Sequence, residues 1–221
     1  MLKSRQNFEK QTDWFIFEQD MGKKARTRQL IVEKSARIFN QKGYAGTSMK
    51  DIEKATSLSK GAIYGSFNSK EEIAIACFDY AVDLVSNSVR QLSRSKTKSY
   101  EKLIAALDFY KEYLFNEPVE GGCPIRNMSP EVDDTNPILR ERVVNAMETW
   151  QYSVKRVVEK GIKQGEIKPD VNAAHFATFF VAALEGGILM SRAYQQSKQL
   201  NIVLNQLEKI IRLELIMDKE E

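Results

Sequence analysis

The sequence predicts an all-α protein in which a small N-terminal three-helix unit precedes a larger helical body. Apolar residues recur at three- and four-residue intervals along most of the chain, strand-like alternation is absent, and helix-starting and helix-stopping residues punctuate the stripes. At 221 residues the chain is long enough for one small module and one larger core, and it carries no internal repeat or low-complexity run.

The N-terminal unit is most legible at 47–70, TSMKDIEKATSLSKGAIYGSFNSK. Thr47 or Ser48 caps a short helix ending near Ala55, Thr56-Ser57-Leu58 make a turn, and Ser59 caps a second short helix running to Phe67. Two short helices so joined form a helix-turn-helix, whose second helix is narrow enough to lie in the DNA major groove. Met49, Ile52, Ala55, Leu58, Ile63 and Phe67 face a shared core, which leaves Lys60, Gly61, Ala62, Tyr64, Gly65 and Ser66 outside. An ordinary helical hairpin would show the same capping.

The charge distribution separates the two readings. Between Met21 and Lys70 stand eleven basic and three acidic residues, a net of +8, whereas the whole chain carries only +3. One strongly basic module therefore sits on a mildly acidic remainder, which is the footprint of a polyanionic partner. A merely solvated face would mix the signs.

The body follows as a series of long helices. The segment 69–93 carries Ile73, Cys77, Tyr80 and Leu84 at helical spacing, and 99–117 carries Leu103, Leu107, Tyr110 and Leu114. Over 137–164 the series Val143, Met147, Trp150, Val154, Val157 keeps a four-three rhythm until Gly165 stops it. A very apolar helix is expected over 170–195, and a last one over 199–217 with Leu200, Leu204, Leu207, Ile211 and Leu215 in line.

Several function classes find no support. Two cysteines, Cys77 and Cys123, make no disulfide framework and suit a reducing cytosol. No run of ~18 uninterrupted apolar residues exists, so no membrane span or membrane partner is expected; the most apolar window, 176–190, is broken by Thr178 and Glu185. There is no Gly-rich phosphate loop, HExxH or GxSxG motif, so neither an enzyme, a metal site nor a cofactor is expected. Residues 1–20 read as an extra N-terminal arm, whose Trp14-Phe15-Ile16-Phe17 is too short for a signal peptide's apolar core.

The run from Thr27 to Leu84 resembles the DNA-binding domain of the TetR (tetracycline-repressor) family of bacterial transcription regulators. The matching positions are Thr27-Arg28, Ile31, Ala36, Ile38-Phe39, Gly43-Tyr44, Thr47-Ser48, Asp51-Ile52, Ala55, Ser59-Lys60-Gly61, Ile63-Tyr64, Phe67 and Ser69-Lys70-Glu71-Glu72. The departure is Gly65-Ser66, where family members often carry a larger or aromatic pair, and it leaves operator choice open. The resemblance implies a helix-turn-helix DNA-binding domain at 21–70 and a helical ligand-binding and dimerisation domain at 71–221. It also implies phosphate contacts from Thr47, Ser48, Tyr64 and Lys70 and base reading by Ser59, Lys60, Gly61 and Ala62. Lys23, Lys24, Arg26 and Arg28 are expected ahead of the first helix, gripping the backbone or a narrow minor groove.

For the body, the resemblance implies a homodimer in which the last two helices of each subunit form a four-helix bundle. Ala183, Gly186 and Gly187 would allow close approach there, with Leu204, Leu207 and Ile211 on the last helix. The middle helices would enclose a pocket for a small apolar or aromatic effector, drawn from Phe109, Tyr113, Met128, Met147, Trp150, His175, Phe176 and Phe179. The element EGGCPIRNM at 120–128 adds a second reading. Cys123, near a helix start and beside Arg126, would have a lowered pKa and sense oxidants or electrophiles. The expected protein is thus a ligand-responsive regulator on a palindromic double-stranded DNA operator, most simply a repressor. A thiol sensor, a protein coating DNA without regard to sequence and a helical enzyme are the alternatives.

Overall fold

The computed structural model describes residues 22–217. The arm expected at 1–20 lies outside the described residues.

The head is built from α1 (Lys23–Gly46), α2 (Met49–Thr56) and α3 (Lys60–Tyr64). The apolar stripe of α1, Ile31, Val32, Ala36 and Phe39, is buried against Ile52 of α2, Ile63 of α3 and Phe67. Gly43, at φ 71°, breaks α1 one turn before its end, a conformation open to glycine because it has no Cβ. α3 ends at Tyr64, short of the expected Phe67, because Gly65 and Ser66 turn the chain so that Phe67 drops into the core.

The body comprises α4 (Lys70–Arg94), α5 (Ser99–Tyr113), α6 (Pro124–Val132), α7 (Pro137–Lys163), α8 (Ala173–Ala193) and α9 (Lys198–Ile210), followed by a π-helical turn, Ile211–Leu215. Caps set most of these boundaries. Ser69 accepts from Glu72 N, Asn136 from Leu139 N, and Asn172 from Ala174 N and His175 N, while Gly165 at φ 67° ends the reversal after α7. α5 stops at Tyr113 rather than near 117, because Glu117 leaves the helix to accept from the amides of Gly121 and Gly122.

Two cores result. The first joins the head to Ile73, Ala74, Cys77 and Phe78 of α4 and continues through Met128 and Val132 of α6 into Leu139 and Val143 of α7. The second packs α5, α7, α8 and α9 around Leu107, Val158, Phe180, Leu184, Leu204 and Ile211. Trp150 packs against both. α8 is long and apolar enough to cross a membrane by composition, but its Phe176, Ala177, Phe180, Val181, Leu184 and Ile188 are core residues.

Candidate functional site

The outward face of the helix-turn-helix is assembled by capping. Ser48 and Asp51 form a reciprocal box at the start of α2, and Ser59 Oγ accepts from Ala62 N at 3.3 Å to start α3. Ile63 anchors α3 inward, leaving Ser59, Lys60, Gly61, Ala62 and Tyr64 exposed on one ridge. The Lys60 ammonium lies 5.8 Å from the centroid of the Tyr64 ring. A Cβ at Gly61 would meet nothing nearer than Ser59 Oγ at 4.0 Å, so packing within the fold does not require glycine there. Lys70 opens α4 beside this ridge, its ammonium 4.4 Å from the Tyr44 ring centroid.

Other expected contacts are corrected. Thr47 is buried and its hydroxyl donates to Gly43 O at 2.7 Å, so its side chain faces the head core. The Ser48 hydroxyl donates to Asp51 Oδ2 at 2.6 Å. The free donors at that helix start are the amides of Met49 and Lys50, which have no intrahelical carbonyl to bind. Hydrogen bonds from Lys42, then from Ser48, hold the Asp51 carboxyl well below the usual carboxylate range. Ser66 is buried rather than outward.

Lys23, Lys24, Arg26 and Arg28 lie within the first turns of α1 rather than ahead of it. Lys23 and Lys24 are exposed where positive charge opposes the helix dipole, so helix stability does not call for them. Arg28 is a staple. Its Nη1 donates to Ser66 O and Glu72 Oε1, both at 2.9 Å, and its guanidinium sits 3.9 Å over the Phe67 ring.

In the body a cavity of about 260 Å³ lies among α4, α5, α6, α7 and α8. Val82, Val85 and Val89 form one wall; Tyr110, Trp150 and Phe180 form another. The Trp150 and Tyr110 rings stack with centroids 6.0 Å apart. Cys123, Pro124 and Ile125 close the end nearest the head.

Of the residues expected in a pocket, Trp150 alone lines this cavity. Phe109 packs edge-on against Tyr110 and Tyr113, and Tyr113 and Phe176 are buried core. Met128 belongs to the core shared with the head. Met147 borders a different, open cleft of about 870 Å³ between α1 and α6. His175 and Phe179 are exposed on the outer side of α8. The half-buried valine stripe of α4 was the sequence signal for the cavity wall.

The thiol expectation is corrected too. Cys123 is buried and donates from Sγ to Glu185 Oε1 at 2.9 Å. Burial first, then the Glu185 carboxylate, push its pKa well above the usual thiol value, the reverse of an activated thiolate.

The assembly residues divide. Gly187, Leu204, Leu207 and Ile211 face the monomer core, Gly187 packing on Leu200 and Val203. Ala183 and Gly186 are half-buried, and a Cβ at Gly186 would meet nothing within 4 Å. Around them the exposed face carries Phe179, Leu189, Met190, Ile202 and Leu213, Leu189 being 52% and Ile202 58% exposed.

The segment that closes the cavity also holds the head. Asn127 Nδ2 lies 2.9 Å from Asn40 O, and Glu131 Oε2 accepts from Ala45 N at 3.1 Å. Asn40 Nδ2 in turn donates to the carbonyls of Glu120 and Gly122. Cavity wall and helix-turn-helix head thus share α6 and its preceding loop.

Comparison with known proteins agrees with this architecture. Residues 31–77 match the family of bacterial regulatory proteins, tetR family, and residues 99–207 match the tetracyclin repressor-like C-terminal domain. A TetR transcriptional regulator from Chloroflexus aurantiacus J-10-FL superposes with a TM-score of 0.85 at 37% identity, over 90% of this chain and 100% of that one. A TetR-family regulator from Cytophaga hutchinsonii gives 0.83 at 34% identity with the same coverage. The HTH-type transcriptional repressor DhaR of Mycobacterium sp. (strain GP1) is 27% identical over 184 residues, 80% of this chain and 89% of its own length. With a basic helix-turn-helix at one end, a helical body at the other and both parts matched, this chain belongs to the TetR family of bacterial transcription regulators.

Proposed function

We propose that this chain is a homodimeric repressor that leaves a palindromic operator when a small, largely apolar effector enters the cavity beside Trp150. The observation that carries this reading is the double duty of α6: Cys123, Pro124 and Ile125 border the cavity while Asn127 and Glu131 grip α1. An effector that repositions α6 must alter the seating of α1 and the helix-turn-helix packed on it. It can do so only through different affinities for the two arrangements.

In this reading residues 21–70 bind DNA and 71–221 sense and assemble. Ser59, Lys60, Gly61 and Ala62 read base edges, while Tyr64, Lys70, Lys23 and Lys24 and the start of α2 neutralise phosphates. Two subunits meet through the outer face of α8 and α9, around Gly186, Leu189 and Ile202, and present their recognition helices about 34–36 Å apart, one turn of DNA. Acting on chromosomal DNA, the protein works in the cytoplasm.

Selection of bound sequences from a random DNA pool at near-physiological salt tests the reading. Enrichment of a palindrome supports a specific dimer. Strong binding with no sequence preference would instead favour a protein that coats DNA.

A further inference from the structure

We infer that the effector is an organic anion: a compact carboxylate or similar acid carried on an apolar body of one or two rings. This deepens the proposed function and rests on the cavity being the effector site.

The size follows from volume. A dry cavity of roughly 150 Å³ accommodates benzene. The 260 Å³ here then suits about ten to fourteen non-hydrogen atoms. The shape of the body follows from the walls, which pair the α4 valines with the stacked rings of Trp150 and Tyr110.

The charge follows from the polar groups. Arg90 and Lys102 are the charged residues of the lining, and no carboxylate accompanies them there. Arg90 Nη1 donates to the neutral Asn87 Oδ1 at 3.0 Å, and neither cation has a carboxylate within ion-pair distance among the described residues. The hydroxyls of Ser93, Thr149 and Ser153 donate to carbonyls one turn back on their own helices, at 3.0, 2.7 and 2.8 Å. They therefore offer lone pairs to the cavity; Ser86, Tyr110 and Trp150 add neutral donors, and the charged donors, the stronger ones, are the guanidinium and the ammonium.

Lys102 also borders an adjoining cleft of about 320 Å³ with Arg156, Lys160 and Lys163. Its acid, Glu159, pairs with Lys155 at 3.6 Å, so the local potential stays positive. A cationic ligand would meet two like charges and no counter-ion in this lining, a neutral one would gain nothing from them, and an anion is attracted by both.

Three size-matched probes test this on the full-length protein by calorimetry: naphthoate, naphthalenemethanol and naphthylmethylammonium. Naphthoate should bind tighter than the alcohol by about tenfold or more, with the ammonium weakest. In an Arg90→Gln/Lys102→Gln double variant, whose changes lie at solvent-accessible or half-buried positions, that advantage should shrink to within about threefold while the alcohol binds as before. Filling the cavity with Ala106→Trp should abolish binding of all three, with circular dichroism reporting that the helices remain. An alcohol or ammonium that binds the wild type as well as naphthoate, and is blocked by Ala106→Trp, overturns the anion and leaves the cavity as effector site. Naphthoate binding that survives in a folded Ala106→Trp protein, or the failure of every probe, overturns both readings.

Discussion

Asn127 on α6 and Asn40 on α1 are locked side to side. Asn127 Nδ2 lies 2.9 Å from the main-chain oxygen of Asn40 and 3.0 Å from its Oδ1, and 2.7 Å from Gly121 O. Asn127→Ala removes the donor and leaves these half-buried acceptors to the adjoining cleft, which costs about 0.5–1.5 kcal/mol. Denaturant unfolding of the full-length protein measures the loss. The same variant should bind operator and effector but transmit less between them, so effector-driven release should weaken. Unchanged stability and unchanged release would mean that the lock couples nothing.

Gly43 offers an independent handle on the same junction. Its φ of 71° disfavours any side chain, and an added Cβ would meet the Glu131 carboxylate, which would have to swing aside and release Ala45 N. Gly43→Ala should therefore destabilise by about 1–3 kcal/mol or more. Combining it with Glu131→Ala should recover the part due to collision but not the part due to φ, giving a clear departure from additivity in a double-mutant cycle. Simple additivity would place the whole cost in the backbone.

The head was legible because its determinants are local. Ser48, Ser59 and Ser69 cap the helices they precede, and the basic residues cluster within one stretch of sequence. The cavity was not, because adjacent helical residues point about 100° apart and residue type does not say which one faces inward. Tyr110 and Phe180 line it, whereas their neighbours Phe109 and Phe179 lie outside the lining. Gly186 and Gly187 divide in the same way. Cys123 failed for another reason: Arg126, its neighbour in sequence, suggested a thiolate, but burial, and then Glu185 brought in from α8 by the tertiary fold, set the opposite sign.

That carboxyl gives a pH prediction. Burial raises the Glu185 pKa above the ordinary value, against smaller opposing effects from Cys123 and Arg126. A raised folded-state pKa favours the folded form below the unfolded value and loses that contribution as pH rises through the folded one. Glu185→Gln is neutral throughout and can still accept from the thiol. The variant should therefore gain stability relative to wild type as pH rises from the ordinary carboxylate range to the raised value, then hold level. Melting temperatures across that window check it; a difference that shrinks with rising pH would reverse the assignment.

On the DNA face, Tyr64→Phe and Lys70→Ala should weaken binding to specific and random duplexes alike, because phosphate contacts carry register rather than sequence. Lys70→Ala should also reduce the slope of log affinity against log salt by about one unit. Titrations at several salt concentrations read both. A changed sequence preference in either variant would move that residue from the backbone to the bases.

The dimer prediction turns on which residues of α8 and α9 face outward. Leu189 and Ile202 are exposed, while Leu204, on the same helix as Ile202, is fully buried. Leu189→Lys places a charge on the outer face without disturbing the monomer core. Sedimentation should then show monomers that keep their helical content, and operator affinity should fall because one head alone grips a half-site. Leu204→Ala should do the opposite, leaving the outer face intact while costing the fold about 2–5 kcal/mol through an internal cavity. If Leu189→Lys remained a dimer and Leu204→Ala dissociated without loss of stability, the subunits would meet through some other surface.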